Sequence, residues 1–255
     1  MINLIDTHAH LTGDQLYPRF DEIVNNALSN GVNKILCICT NPEELQRALA
    51  HPNPHIDLAY GLNPQDLDKI TPKYYQCLED AVAASQLVAI GEIGLDYYWV
   101  SDNKEQQKAL FIKQIELANQ AGLPILIHMR EATKDTLDIL KAYCRVPFVM
   151  HCFSGSEETA QLIIKMGGYL SFAGPITFKN ANGLLKVPPV VPSSRLFVET
   201  DCPYMAPTPM RGKENEPQYV RYTFETLTAL KQADSETLAK TIQDNYQTLF
   251  YKKNK

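Results

Sequence analysis

The chain has 255 residues, of which 45% are hydrophobic, and a formal net charge of −5. This length fits one α/β barrel of about 250 residues, so we predict a single domain over residues 1–255. No run of roughly 18–20 apolar residues suggests a membrane span. The acidic balance argues against a protein that coats long nucleic acids, although it allows a short nucleic-acid substrate that is held locally.

Cysteine usage and the amino terminus favour a cytoplasmic protein. The six cysteines show neither a CxxC pair nor the spacing of a disulfide framework, which predicts reduced thiols. The first residues lack a basic region followed by an apolar stretch, so we expect no signal peptide. We therefore expect a cytoplasmic location, no membrane contact and no obligate protein partner.

Short β-forming runs alternate with longer amphipathic stretches along the chain. The predicted strands are Ile2–Asp6, Lys34–Ile38, Ile56–Tyr60, Val88–Gly91, Ile125–Ile127, Phe148–Met150, Tyr169–Phe172 and Leu196–Glu199. Eight strands, each followed by a helix or loop, predict an α/β fold of the closed (β/α)8 TIM-barrel type. The alternative is an open, doubly wound sheet, which brings residues of the first and last strands together less easily.

Capping residues mark the predicted helices between these strands. Helical spacing of apolar residues predicts a helix over Phe20–Leu28. Asp102 and Glu105 resemble a capping box that opens a helix through Ala121. Ser156 is expected to cap a helix through Met166. The irregular stretches 174–194 and 203–217 are predicted to form the rim of the site.

Six residues with metal-binding side chains lie at the predicted carboxyl ends of five strands, where barrels of this type hold their active sites. They are His8 and His10 after the first strand, Glu92 after the fourth, His128 after the fifth, His151 after the sixth and Asp201 after the last. His8 and His10 point to the same side, because side chains two apart in a strand share a face. The pattern predicts one metal site assembled from distant parts of the chain.

The number of these side chains predicts two metal ions. A catalytic zinc usually takes three protein ligands, whereas two-metal hydrolases hold ions roughly 3.5–4 Å apart with a shared group. Histidine-rich ligation suits Zn²⁺, and carboxylates with a phosphate substrate suit Mg²⁺ or Mn²⁺. His51 and His55 also have i, i+4 spacing, but prolines interrupt them and they precede a strand. We expect them to be ordinary surface residues.

These motifs strongly resemble the TatD family of metal-dependent deoxyribonucleases. The resemblance spans residue 5 to about residue 217 and rests on His8-Ala9-His10, residues 91–97, 127–132, 151–155 and 199–204, and the segments 211–213 and 215–217. It implies an amidohydrolase-type TIM barrel that hydrolyses phosphodiester bonds of DNA, often as an exonuclease. DNA ends or small nucleic-acid fragments are the implied substrates.

The resemblance also implies the role of each site residue. It places His8, His10 and Asp201 on one metal ion and His128 and His151 on the other, with Glu92 bridging both. Asp201 would in addition activate the attacking water.

Substrate contacts are expected next to these positions. Arg130 and Arg211 are candidates for holding a phosphate, since guanidinium groups bind phosphate oxygens in pairs. Trp99 is a candidate for stacking on a base; the alternative is that it packs the rim. Relatives often carry Gly-x-His-Pro after the third strand, where this chain has Asn63, which can donate a hydrogen bond but cannot become cationic.

Two other functions are compatible with the same residues. One is hydrolysis of an amide, lactone or aminoacyl-tRNA ester, because a fold does not determine a substrate. The other is non-enzymatic nucleic-acid binding, against which the acidic charge argues. Cys152 and Cys202 adjoin predicted ligands, but strand alternation is expected to turn both thiols away from the site.

Overall fold

The computed structural model describes residues 2–100 and 102–252. Within these residues, eight strands form one sheet in which every strand pairs in parallel with the next one along the chain. The strands are β1 (Leu4–Ala9), β2 (Val32–Cys39), β3 (Ile56–Tyr60), β4 (Ala89–Asp96), β5 (Ile125–Arg130), β6 (Phe148–Met150), β7 (Tyr169–Phe172) and β8 (Leu196–Val198).

The first strand meets the chain immediately after the last strand. The Asp201 backbone N–H donates to the carbonyl oxygen of His8 at 2.9 Å, and that of His10 donates to Cys202 at 2.9 Å. These bonds join the two ends of the sheet at its carboxyl end. The predicted TIM barrel is confirmed, and an open doubly wound sheet does not form.

Helices separate most of the strands and cover the outside of the barrel. Those in the described residues are α1 (Phe20–Ser29), α2 (Pro42–Ala50), α3 (Pro72–Ala83), α4 (Lys104–Ala121), α5 (Thr133–Tyr143), α6 (Glu157–Lys165), α7 (Val187–Val190), α8 (Val220–Lys231) and α9 (Ser235–Phe250). Helix α4 packs on β4 and buries Phe111, Ile115 and Ala118, which share one face at helical spacing. No helix in residues 2–100 or 102–252 is long and apolar enough to cross a membrane.

Three strands extend further toward the site than the apolar runs predict. Strands β1, β4 and β5 end at Ala9, Asp96 and Arg130 rather than at residues 6, 91 and 127. His8, Glu92 and His128 therefore lie within strands. The prediction stopped too early because polar side chains interrupt the apolar pattern, while the backbone continues to pair, as at Gly94 opposite His128.

The predicted capping box before α4 is wrong. The helix starts at Lys104, its cap residue is Asn103, and the cap makes no side-chain bond to the helix backbone. The buried Gln107 side chain instead donates to Asn103 Oδ1 and to the carbonyl oxygens of Asp96 and Val100 at 2.8–2.9 Å. The loop is thus held by a side chain inside the helix.

The other predicted helix signals hold. Ser156 Oγ accepts from the Thr159 N–H at the start of α6, as predicted. Gly122 ends α4 with φ of 67°, a left-handed conformation that glycine adopts without strain.

Residues 174–194 were expected to be irregular, but they contain short 3₁₀ segments and α7. Prolines there occupy first-turn positions, where proline is tolerated.

Candidate metal centre

The six predicted ligands converge at the carboxyl end of the barrel around Glu92, whose residue surface is only 3% exposed. Its Oε1 atom lies 2.7 Å from His128 Nδ1 and 2.9 Å from His151 Nε2. Its Oε2 atom lies 3.6 Å from His8 Nε2 and 3.8 Å from His10 Nε2. One carboxylate therefore presents a separate oxygen to each of two histidine pairs.

The pair formed by His8 and His10 also faces Asp201. Asp201 Oδ1 lies 3.5 Å from His10 Nε2 and 3.8 Å from His8 Nε2, too far for good hydrogen bonds. Both ring nitrogens of His8 are buried and have no hydrogen-bond partner among the described residues. An unpaired buried nitrogen is costly, and a bound cation would satisfy Nε2. Imidazole ligands suit Zn²⁺, and carboxylate ligands suit Mn²⁺ or Mg²⁺.

A second donor cluster comprises Glu92, His128 and His151. One donor atom from each residue lies within 4.8 Å of the other two, and the two facing imidazole nitrogens are 3.3 Å apart. The residues that the resemblance assigns to two ions thus form two adjacent clusters that share Glu92.

Backbone conformation aims two of the residues around this centre. Asp201 has φ of 55° and Cys152 has φ of 42°, a left-handed region that costs energy for most residues other than glycine. Asp201 lies just beyond β8, and Cys152 follows the predicted ligand His151. Such strain persists only where the surrounding contacts impose it, and here it occurs next to the donor clusters.

Electrostatics keep the carboxylates of this centre ionised. Burial tends to raise the pKa of Glu92, but the imidazoles of His151, His128 and His8 lower it well below its usual range. Burial also tends to raise the pKa of Asp201, but the imidazoles of His10, His151 and His8 lower it. Burial tends to lower the pKa of His10, while the Asp201 and Glu92 carboxylates raise it to about 9. The site is therefore a cluster of negative oxygens facing imidazoles.

Two buried acids support the predicted ligands and were missed by the sequence prediction. Asp96 Oδ2 lies 2.9 Å from His128 Nε2. Burial tends to raise the pKa of Asp96, but the His128 hydrogen bond helps to lower it to about 2. Glu199 Oε1 lies 3.4 Å from His151 Nδ1 and accepts from the Cys152 N–H at 2.6 Å. The available signal was an acidic residue at the end of an otherwise apolar strand.

A third missed acid, Asp6, lies below the site. Its carboxylate accepts from the Thr200 N–H at 2.9 Å and from the His8 N–H at 3.2 Å. Burial raises the pKa of Asp6 to about 8. Asp6 thereby connects β1 to the residues after β8 and steadies the segment that carries His8.

A cavity of about 890 Å³ opens above the donor clusters and includes most of the predicted substrate residues in its lining. Asn63, Trp99 and Arg130 line it. Arg211 is not among the described lining residues, and its guanidinium lies 4.0 Å from the Phe178 ring instead. The volume is within the range of small-molecule sites.

The cavity-lining candidates differ in exposure. Trp99 is 62% exposed, and the Arg130 guanidinium lies 5.4 Å from its ring. Asn63 is buried, and its Oδ1 accepts from the Gln65 N–H at 2.9 Å. Asn63 therefore shapes the wall of the cavity through a local turn.

The two cysteines beside the predicted ligands behave differently. Cys152 was expected to turn away from the site, but it is among the residues that line the cavity. The reason is that β6 ends at Met150, so strand alternation does not reach this residue. Cys202 is fully buried and is not among the described lining residues.

The two remaining histidines lie away from the cavity, as expected. His51 ends α2 and is 3.1 Å from the Tyr17 hydroxyl. His55 Nδ1 is 2.8 Å from the Asn33 carbonyl oxygen, just before β3. Both belong to the opposite end of the barrel.

Comparison with known proteins gives matches along almost the whole chain. The family described as "TatD related DNase" matches residues 5–251. A Bacillus subtilis protein named "Uncharacterized metal-dependent hydrolase YabD" is 40% identical over 251 residues, which cover 97% of this chain and 98% of that protein. An Escherichia fergusonii protein named "3'-5' ssDNA/RNA exonuclease TatD" is 30% identical over 256 residues and covers 97% and 98% of the two chains.

A solved structure agrees with these matches. The TatD homologue YJJV from Escherichia coli superposes with a TM-score of 0.90 at 30% identity, and the match covers 97% of each chain. Family match, sequence identity and fold coincide over the residues that carry the two donor clusters. This chain therefore belongs to the TatD family of metal-dependent hydrolases.

Proposed function

We propose that this protein is a deoxyribonuclease that hydrolyses phosphodiester bonds at the ends of DNA and acts as an exonuclease. The observation that carries the proposal is the Glu92 carboxylate, which faces two histidine pairs at the bottom of an open cavity. Two adjacent cation sites suit hydrolysis of a phosphodiester, in which charge develops on both the attacking and the leaving oxygen. A relative named as an exonuclease supports the same reaction.

His8, His10 and Asp201 would hold one divalent ion, His128 and His151 the other, and Glu92 would contribute to both. Such ions lower the pKa of water and stabilise negative charge on phosphoryl oxygens. Zn²⁺, Mn²⁺ and Mg²⁺ are the candidate ions; the imidazoles suit Zn²⁺, and the carboxylates with a phosphate substrate suit Mn²⁺ or Mg²⁺.

Asp201 is the proposed proton acceptor of the reaction. As water attacks phosphorus, a carboxylate oxygen of Asp201 takes its proton; the new P–O bond forms and the ester P–O bond to the leaving oxygen breaks. The pKa of Asp201 is lowered, so the carboxylate is ionised and able to accept a proton before the attack. Arg130, at the rim of the same cavity, would hold a phosphate oxygen.

The charges of the cavity favour a chain end over a long duplex. Asp14, Glu44 and Asp66 line the cavity together with the donor carboxylates, and Arg130 is the one arginine or lysine among the described lining residues. Acidic walls repel an extended polyanion. A frayed terminal nucleotide would present one phosphate to the metal centre and one base to Trp99.

The test is Asp201→Asn, assayed on end-labelled single-stranded DNA in the presence of Mn²⁺. Asparagine tolerates the left-handed backbone at this position, so we expect an unchanged circular dichroism spectrum. The turnover number should fall on the order of 100- to 10,000-fold, because the proton acceptor is lost.

The same preparations should be assayed on aminoacyl esters, lactones and small amides. Turnover of one of these by the wild type, without DNA cleavage, would reject the nuclease proposal and keep the hydrolase. Cleavage of DNA at the wild-type rate by Asp201→Asn would remove Asp201 from the mechanism.

A further inference from the structure

Asp96, the last residue of β4, is fully buried, and its carboxylate accepts four hydrogen bonds. Its Oδ2 atom faces His128 Nε2 at 2.9 Å and Gln65 Nε2 at 2.7 Å. Its Oδ1 atom accepts from the backbone N–H groups of Tyr98 and Trp99, each at 2.9 Å. One carboxylate therefore contacts a predicted metal ligand with one oxygen and the rim of the cavity with the other.

The contact with His128 determines which ring nitrogen is free. An ionised carboxylate only accepts hydrogen bonds, so His128 Nε2 carries the proton that it donates to Asp96. In the neutral ring, the lone pair then lies on Nδ1, the atom that is 2.7 Å from Glu92 Oε1. Metal-bound histidines commonly donate their other N–H to a carboxylate in this way, which fixes tautomer and ring orientation.

The contact with Tyr98 and Trp99 shapes what we term the aromatic platform, formed by these two side chains. The bonds to Asp96 fold the backbone after β4 into a turn, and both rings point outward, 50% and 62% exposed. The Arg130 guanidinium lies 4.1 Å from the Tyr98 ring. The turn thus places the Trp99 ring and the Arg130 guanidinium in the lining of the cavity, with the Tyr98 ring beside both.

We propose that Asp96 is a positioning residue with two separable roles: Oδ2 prepares His128 for the second metal ion, and Oδ1 holds the aromatic platform in place for a nucleobase. The platform's role as a base contact rests on the proposed function. The role toward His128 rests on the donor cluster alone. Gln65, which also lines the cavity, adds a second donor to the same oxygen.

Asp96→Asn separates the two roles because asparagine keeps one oxygen and replaces the other with an NH₂ group. The retained oxygen can still accept from Tyr98 and Trp99. The new NH₂ group can only donate, which favours the His128 tautomer whose Nε2 accepts and whose Nδ1 carries the proton. That tautomer has no lone pair to offer a metal ion at Nδ1.

The metal arm titrates metal-free protein with Mn²⁺ and measures binding by calorimetry. We expect wild type to bind two ions and Asp96→Asn to bind the second about 10- to 100-fold more weakly, the usual effect of removing such a partner. The matched control is Asp135→Asn, whose carboxylate accepts from the Tyr97 hydroxyl and pairs with Lys108. This control should bind Mn²⁺ as wild type does.

A double-mutant cycle tests whether the effect of Asp96→Asn on Mn²⁺ binding acts through His128. In a His128→Ala background, Asp96→Asn should not weaken Mn²⁺ binding further, because its effect acts through His128. Wild-type affinity for both ions in Asp96→Asn, or an equal loss with and without His128, would overturn the first role.

The platform arm uses the fluorescence of Trp99, the only tryptophan of the chain. In EDTA, Asp96→Asn should keep the wild-type emission and its quenching by a short single-stranded oligonucleotide. Asp96→Ala, which loses both oxygens, should shift the emission and weaken the quenching severalfold. Identical emission and quenching in both variants would overturn the second role.

The two arms also separate this proposal from the nuclease proposal. Neither Mn²⁺ binding nor fluorescence requires hydrolysis. A wild type that cleaves no DNA would therefore refute the proposed function, while the titration of Asp96→Asn would still decide the role of Asp96 toward His128.

Discussion

At the scale of single residues, Glu92 illustrates how one side chain joins two clusters. Its two oxygens face different histidine pairs, and its pKa lies well below the usual range despite burial, because imidazoles surround it. A neutral amide at this position would offer one oxygen and no charge. The position of Glu92 after a predicted strand indicated that it belongs to the site. The separate direction of each of its oxygens is a property of the folded strand.

Arg130 and Arg211 allow a prediction about phosphate binding, because both were predicted contacts and only Arg130 is among the described residues that line the cavity. Arg130→Ala should raise KM for single-stranded DNA about tenfold or more, since a hydrogen bond to a charged group contributes roughly 1.5–3 kcal/mol. Arg211→Ala should leave KM within about twofold, because its guanidinium packs on Phe178. Steady-state kinetics on one oligonucleotide decide between them. A larger effect from Arg211 than from Arg130 would contradict this assignment.

The residues that sequence reasoning missed share one property. Asp6, Asp96 and Glu199 each contact another protein group at the site, and Glu199 also presents a carboxylate oxygen within 4.8 Å of donor nitrogens of His8 and His151. Their side-chain chemistry is no different from that of an ordinary buried acid. Their importance depends on distances of about 3 Å to partners that are remote in the sequence, which a pattern of residue types does not contain.

At the scale of elements, the site depends on the pairing of β4 with β5. Gly94 lies opposite His128 in this ladder, and its φ of 144° is one that side-chain-bearing residues rarely adopt. A Cβ atom at Gly94 would overlap the backbone carbonyl oxygen of His128. The close approach of the two strands therefore requires glycine and keeps His128 near Glu92.

Gly94→Ala should consequently destabilise the protein and misplace His128. We expect a loss of roughly 3 kcal/mol from overpacking and backbone strain, or about 6–12 °C in Tm for a chain of this size. The control is Gly183→Ala, where an added Cβ meets nothing within 4 Å. Thermal unfolding of both variants is the measurement. Equal Tm values would show that β4 and β5 can separate without cost.

Helix starts show where local reasoning succeeds at this scale. Ser156 caps α6 through a bond to Thr159, three residues away, so the sequence contains the whole interaction. Asp102 does not cap α4 because Gln107 holds the preceding loop from inside the helix. Local signals are dependable when both partners lie within one turn, and they fail when a buried side chain competes for the same segment.

At the scale of the whole molecule, metal binding should stabilise the barrel, because the donor clusters combine residues from β1, β4, β5 and the segments after β6 and β8. An ion that binds only the folded chain at 100 times its Kd adds about 2.7 kcal/mol. Adding Mn²⁺ to EDTA-treated protein should therefore raise Tm by roughly 5–10 °C per bound ion. Differential scanning calorimetry measures the shift.

Two substitutions test whether this stabilisation comes from the proposed centre. Glu92→Gln should lose most of the Mn²⁺-dependent rise in Tm. Glu116→Gln, an exposed position on α4, should keep all of it. If both variants retained the full shift, the stabilising ion would lie elsewhere.

The sequence alone was sufficient to predict the number and order of the strands, the helix start at Ser156 and the gathering of six candidate donor side chains at the carboxyl ends of the strands. These properties depend on local periodicity, on residue chemistry and on the rule that a parallel barrel gathers its carboxyl ends at one mouth. Only the tertiary structure decided how Glu92 is shared, that Asp96 joins His128 to the aromatic platform, and that Arg130 rather than Arg211 lines the cavity. The physical reason is barrel closure, which brings residues far apart in the chain to within about 3 Å, the scale on which hydrogen bonds and ion pairs act.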